Sequence, residues 1–237
     1  MNLSIVMPVL NEAAGLRASL AALAPLRARG AEIIVVDGGS HDGSAALAAD
    51  GADTVLAGPQ GRARQMNAGA AAARGEVLLF LHADTTLPAG ADADVQRAID
   101  GGAGWGRFDL HIVSGTGTGT STSTSTIAAR LLLSVVAACM NARSRLTGIA
   151  TGDQAIFVRR ALFQQQAGFA DQPLMEDIEL SRRLRRIQPP ACLRAQVGTS
   201  GRRWETRGVW RTIVLMWRLR WRYWRGESPD ALARAYR

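Results

Sequence analysis

The chain has 237 residues, 47% apolar and 20% charged, enough to bury a core without a disulfide or structural metal. Its only cysteines, Cys139 and Cys192, lie far apart, which excludes a disulfide scaffold and a CxxC zinc site and favours a reducing compartment. All 28 basic residues are arginine, so a Walker lysine, a Schiff-base lysine and a lysine general base are excluded. The net charge of +8 is uneven. Residues 1–101 carry 7 Arg against 11 acids, and residues 102–237 carry 21 against 9. The basic second half should attract a phosphate-bearing substrate, an anionic membrane surface or nucleic acid.

Leu3–Val9 reads as a buried strand, and Leu16, Leu20 and Leu23 put a helix over Glu12–Leu26. Met1–Leu10 lacks a basic n-region, so no signal peptide is expected. Glu32–Val36 is a β-branched strand ending at Asp37-Gly38-Gly39-Ser40, and Asp42-Gly43 opens a helical run through Ala49. Asp53–Leu56 reads as a short strand, Gly61–Ala73 as a helix, and Glu76–Leu81 as an apolar strand ending at His82-Ala83-Asp84. Strands this apolar, separated by helices, predict a parallel sheet covered on both faces.

Polar residues follow three of these strands: Asn11 and Glu12, then Asp37 and Ser40, then His82 and Asp84. In an open α/β sheet that rim is the ligand crevice. Asp37 can accept the N–H of a base or a ribose hydroxyl, and Gly38 and Gly39 allow close backbone approach. Asp84 is a candidate ligand for an oxygen-preferring cation shared with a diphosphate, and Arg62 and Arg64 can meet phosphate. A purely structural reading leaves Asp37 and Asp42 as turn and helix caps. Neither G-x-G-x-x-G nor G-x-x-x-x-G-K is present, so the dinucleotide and P-loop readings fail.

Beyond Pro88, Ala89–Ile99 reads as a helix and Trp105–Val113 as a strand. The Ser/Thr/Gly tract 114–126 predicts a low-complexity loop, and Ile127–Met140 a helix. A small-residue turn over Thr147–Gln154 leads into a strand at Ala155–Val158. Glu176-Asp177 then sits at a helix start, where a carboxylate can serve as a helix cap or as a general base across the substrate from Asp84. In the tail, Trp210, Trp217, Trp221 and Trp224 share one helical face, with Arg211, Arg218, Arg222 and Arg225 about 100° around. Three uses are open to it: packing on the sheet, peripheral membrane contact, or a homo-oligomer contact through the 204–225 helix. No nucleic-acid-binding pattern accompanies the charge. The apolar runs Leu131–Met140 and Val209–Trp217 fall short of the roughly 20 residues a bilayer span needs. A cytoplasmic location is expected, with contact on the inner face of the membrane left open.

The segments SIVMPVLNE, EIIVVDGGSHDGS, GRARQMNAGAAAARGEVLLFLHADT and PLMEDIELSRRLRR together resemble the family 2 glycosyltransferases, which have the GT-A fold. RSRLTGIATGDQAIFVRR and GRRWETRGVW are similar to a bacterial subgroup associated with arsenosugar biosynthesis. The resemblance implies a single GT-A domain, with one Rossmann-like, mostly parallel sheet flanked by helices. Residues 1–100 would form the nucleotide-binding half, 101–200 the acceptor and catalytic half, and 201–237 a basic Trp/Arg-rich C-terminal helix. It implies a hexosyltransferase-like activity that moves a sugar from a nucleotide-diphosphate sugar to an acceptor nucleophile, usually with inversion. Pro8, Asn11, Glu12 and Asp37 match nucleotide-holding positions. Asp84 matches the last carboxylate of the Asp-x-Asp motif that holds Mg²⁺ or Mn²⁺. Asp177 matches the catalytic base, with Glu176 beside it. Two departures stand out: His82 replaces the first metal-motif carboxylate, and Arg203-Trp204 keeps only the end of the Gln-x-x-Arg-Trp motif, with Arg203 as a diphosphate clamp. No large pKa shift is expected for the base. A non-catalytic nucleotide-sugar binder and a sugar-phosphate nucleotidyltransferase are the alternatives.

Overall fold

The computed structural model describes residues 2–113 and 124–236. Its first half alternates β1 (Leu3–Val9), α1 (Ala13–Ala28), β2 (Glu32–Asp37), α2 (Ser44–Ala49), β3 (Thr54–Ala57), α3 (Arg62–Ala72) and β4 (Val77–Phe80). The four strands pair in parallel in the order β3-β2-β1-β4. Successive side chains point to opposite faces. Ile5, Met7, Ile33, Val35 and Leu79 meet Leu16, Leu20 and Leu23 of α1 on one side. Val6, Ile34, Val36, Leu78 and Phe80 meet Met66 and Ala70 of α3 on the other. Both faces are covered, so these strands read as unbroken apolar runs.

After β5 (Thr85–Thr86) and α4 (Ala91–Asp100) come β6 (Trp105–Val113), α5 (Thr124–Thr147), β7 (Phe157–Arg159), α6 (Arg160–Gln165), α7 (Glu176–Ile187) and β8 (Ala191–Ser200). The full sheet has eight strands in the order β3-β2-β1-β4-β7-β6-β8-β5. β7 runs antiparallel to both β4 and β6, and β5 antiparallel to β8, while β6 and β8 are parallel. The sheet is therefore mostly parallel, with an antiparallel strand inserted beside β4. β8 has no clear sequence signature, because only Val197, Gly198 and Thr199 of it are buried.

Several boundaries differ from the expectations: the helix expected over Ile127–Met140 runs on to Thr147, and the strand expected at Ala155–Val158 is Phe157–Arg159. Residues 114–123 of the expected low-complexity loop lie outside the described residues, but Thr124, Ser125 and Thr126 already belong to α5. Hydroxyl residues are favoured at helix starts, so the tract's composition hides the boundary. The expected C-terminal helix is instead three: α8 (Arg202–Arg207), α9 (Val209–Trp224) and α10 (Pro229–Tyr236). Gly208 separates the first two at φ 81, a conformation costly for residues with a side chain, and Pro229 opens the third. No described helix is long and apolar enough to cross a membrane.

Candidate active site

The loops after β1 and β2 are laced into one rim. Asn11, at φ 55, donates its backbone N–H to Ser40 Oγ (2.9 Å) and accepts the His41 N–H on its side-chain oxygen (2.9 Å). Glu12 donates its N–H to Ser44 Oγ, and Ala13 to Asp42 (2.9 Å each). Asp42 also accepts from the Ser44 N–H and hydroxyl, so its capping role uses both oxygens. Pro8 stands in β1 opposite Val36, beyond the last residue paired with β4.

Asp37, 7% exposed, divides its oxygens. Oδ2 accepts the N–H groups of Gly39 (3.1 Å) and Ser40 (3.0 Å), while Oδ1 is buried with no hydrogen-bond partner. A buried acceptor without a donor is costly, and an N–H or hydroxyl from a ligand would satisfy it. The crevice floor is fixed by Gln65 of α3, which the sequence reading did not single out. Its amide donates to the carbonyls of Val9 and Val36 (2.8 Å each), tying together the ends of β1 and β2. Gly38 is buried against that carboxamide, and a Cβ there would lie 3.0 Å from it.

The third rim segment follows β4. Asp84 is exposed, and its carbonyl accepts the Ser200 N–H (3.2 Å), which anchors it to the end of β8. Burial raises the Glu12 carboxyl above its ordinary pKa; Asp84 and Asp42 add to the rise, and Arg202, 3.8 Å from Glu12, opposes it. Among the described residues, no three His, Cys, Asp or Glu side chains converge on a metal position. Two neighbouring carboxylates on an open rim still fit a hard divalent cation that draws its remaining oxygens from a diphosphate. His82 is not part of that carboxylate pair. Its Nδ1 lies 3.4 Å from Asp153, and its Nε2 is buried without a partner.

Asp177 and Glu176 begin α7, after Met175 at φ 66. Asp177 Oδ2 accepts the Gly152 N–H (2.8 Å) and Oδ1 the Ile178 N–H (2.7 Å). Glu176, 2% exposed, lies 3.4 Å from the Arg62 guanidinium. Both carboxylates line a small cavity with His82, Met66, Phe80, Gly152, Ile156 and Phe169. Burial, reinforced by Glu176, pushes the Asp177 carboxyl up to about 6, against the opposing N–H groups and Arg62. The expectation of an unshifted base is thereby corrected. Adjacent carboxylates at a helix start carry no local mark of burial, but here they are enclosed by α3, β4 and the Gly152 turn.

The rim, His82 and the Glu176-Asp177 pair therefore come together. Arg64, a predicted phosphate contact, forms an exposed ion pair with Asp171 (2.7 Å). Arg203 belongs to α8, and its side chain lies outside the described residues. Arg202, its neighbour, lies 3.8 Å from Glu12. Arg143 of α5 is a further cation the sequence did not reveal. Its Nε and Nη2 are buried without hydrogen-bond partners, within electrostatic reach of Asp177 and Arg107. Arg107 is committed to Asp109 and to the Asn141 carbonyl. No local pattern could have separated Arg143 from the other arginines around it.

A sheet whose parallel strands deliver polar loops to one rim, continued by an antiparallel strand that brings a carboxylate-bearing helix to it, defines a GT-A-type α/β protein. A model of Glycosyl transferase family 2 matches residues 4–163, and the chain belongs to that family. Comparison with curated proteins gives no match. Among solved structures, TarS 1–349 from S. aureus is 19% identical with a TM-score of 0.64, covering 85% of this chain and 61% of that one. TarS 1–349 in complex with UDP-GlcNAc is 18% identical with a TM-score of 0.61, covering 84% and 58%. Glucosyl-3-phosphoglycerate synthase from Mycobacterium tuberculosis, in complex with Mn²⁺, UDP and phosphoglyceric acid, is 19% identical with a TM-score of 0.55, covering 84% and 69%. The chain thus spans about three-fifths of the TarS chains (61% and 58%).

Proposed function

We propose that this protein transfers a sugar from a nucleotide-diphosphate sugar to an acceptor nucleophile by a single, inverting displacement with Asp177 as the base. The observation that carries this reading is the Asp177 carboxylate. Two backbone N–H groups hold it, it shares a cavity with His82 of the nucleotide-side rim, and its proton affinity is raised to about 6. A base poised there is ionised at neutral pH yet basic enough to share a proton in the transition state.

Asp37 Oδ1 accepts a hydrogen bond from the base or ribose, and the Asn11, Glu12 and Ser40 loops shape the edges of that pocket. As the acceptor oxygen bonds to the anomeric carbon, its proton passes to Asp177 and the bond to the nucleoside diphosphate breaks. Glu176, held beside Arg62, keeps Asp177 basic and does not itself take the proton. Arg143 is a buried cation that an anionic group of a substrate would satisfy. Asp84, with Glu12 beside it, would hold a divalent cation, which would offset the charge left on the departing diphosphate.

The neighbours with UDP and UDP-GlcNAc make uridine donors the first to test, and the neighbour with Mn²⁺ supports the cation reading. Within the family we read the chain as hexosyltransferase-like and as belonging with the arsenosugar-associated subgroup. That placement rests on RSRLTGIATGDQAIFVRR and GRRWETRGVW. The test is a panel of nucleotide sugars assayed for binding and for nucleoside diphosphate release in the presence of candidate acceptors. Release that depends on one donor and one acceptor supports the reading. Tight donor binding with no turnover under any metal or acceptor would instead make this a nucleotide-sugar binder.

A further inference from the structure

Helix α9 is two-faced. Thr212 and Leu219 are buried, and with Leu215 and Tyr223 they fall within about 80° of arc. That face packs on Met175 and Ile178 of the base-bearing segment and on Leu232 of α10. Trp210, Val214, Trp217, Trp221 and Trp224 fill an equal arc on the opposite side, and they are 70%, 54%, 75%, 57% and 77% exposed. The tryptophans therefore do not pack on the sheet. Arg211, Arg218, Arg222 and Arg225 line one edge of the stripe and Arg220 the other. Arg225 stacks over Trp221 at 5.0 Å. The helix contains no acid, and residues 202–237 hold ten arginines against three acids.

We infer that this face of α9 docks on a lipid bilayer bearing anionic headgroups. Indole rings partition to the headgroup level, and arginines bordering them reach phosphate while their stems cover apolar surface. Charge selects this occupant over a second copy of the chain. A two-fold pairing of α9 with itself would set arginine rows side by side with no acid on either helix, and Glu227 just past it is already paired with Arg222. The inference is independent of the transferase reading, since binding to lipid needs no donor. Its geometric consequence is that α9 stands between the membrane and Met175 and Ile178, the residues that flank Glu176 and Asp177.

The test is co-sedimentation of the full chain with vesicles of phosphatidylcholine alone or with added phosphatidylglycerol, with tryptophan emission and light scattering read in parallel. The expected result is partition onto the anionic vesicles, a blue-shifted emission, and weakening by salt. Trp217→Ala/Trp221→Ala should reduce partition by roughly tenfold or more. Arg218→Gln and Arg225→Gln should each reduce it about fivefold, and only on anionic vesicles. These side chains are exposed, so an unchanged far-UV spectrum will show the variants folded. Three results would overturn the proposal: no partition of the wild-type chain, partition indifferent to the tryptophan variants, or a tryptophan-dependent dimer that ignores vesicles.

Discussion

The backbone N–H of Gly152 donates to Oδ2 of Asp177 at 2.8 Å, and the same residue packs so closely on His82 that a Cβ would lie 2.5 Å from the imidazole Cε1. One glycine thus couples the nucleotide-side strand end to the base. The turn carrying it is held by Thr151 and Gln154, whose side chains close a capping box around it.

Gly152→Ala should force the turn away from His82. The expected cost is about 1–3 kcal/mol in urea denaturation, the usual range for overpacking, together with slower transfer as the Asp177 bond lengthens. His82→Ala in the same chain should restore much of the lost stability. A double variant no more stable than Gly152→Ala alone would mean that the two residues do not press on each other.

Transfer rate should depend on pH through Asp177. The carboxyl acts as a base only when ionised, so the rate should fall as pH drops through about 6. Glu176→Gln removes a neighbouring charge that raises the Asp177 pKa, so the falling limb should move to lower pH. It should not reach the ordinary aspartate range, because burial is the larger cause. The sign for stability is also fixed. A carboxyl whose native pKa is raised binds its proton more tightly folded than unfolded, so its contribution to stability is lost as pH rises toward 6. A rate profile identical in wild type and Glu176→Gln would contradict the coupling.

Gln65→Leu should destabilise the protein by about 1–3 kcal/mol, because the buried strand-end carbonyls of Val9 and Val36 each lose a hydrogen bond, while Val9 keeps the Gly38 N–H (2.9 Å). Chemical denaturation reads this directly. A cost below about 0.5 kcal/mol would show that the strand ends do not need the clamp.

Most strands, by contrast, were legible in the sequence, although β5 and β8 were not. Leu3–Val9 and Trp105–Val113 have the expected bounds because burial on one or both faces writes itself into the side-chain pattern. The rim was legible for the same reason, since chemistry-bearing residues follow strand ends. Gln65, Arg143 and Gly152 were not, because each acts on partners between 25 and 70 positions away in the chain or on a charge placed by tertiary packing. The raised Asp177 carboxyl was missed likewise. Its cause is enclosure by α3, β4 and a turn that no local window contains. The tryptophan face was visible as periodicity, but only the packing of Leu219 on Met175 and Ile178 shows which side of α9 is turned inward.

Nucleoside diphosphate binding should require a divalent cation and should weaken by roughly tenfold or more in Asp84→Ala, because a hard cation supplied with only one or two protein carboxylates depends on each. Calorimetric titration of UDP with Mg²⁺ or Mn²⁺, repeated with chelator, measures this. Equal affinity with and without the cation would remove Asp84 from a metal role.

Asp177→Asn tests the central claim most directly. Asparagine keeps the shape of the side chain but cannot take the acceptor's proton. In a transfer assay with donor affinity measured alongside, the account predicts unchanged donor binding and a rate lower by roughly 10²-fold or more. The wild-type product, read by NMR, should carry the anomeric configuration opposite to the donor's. A fully active Asp177→Asn enzyme, or a product that retains the donor's configuration, would contradict it.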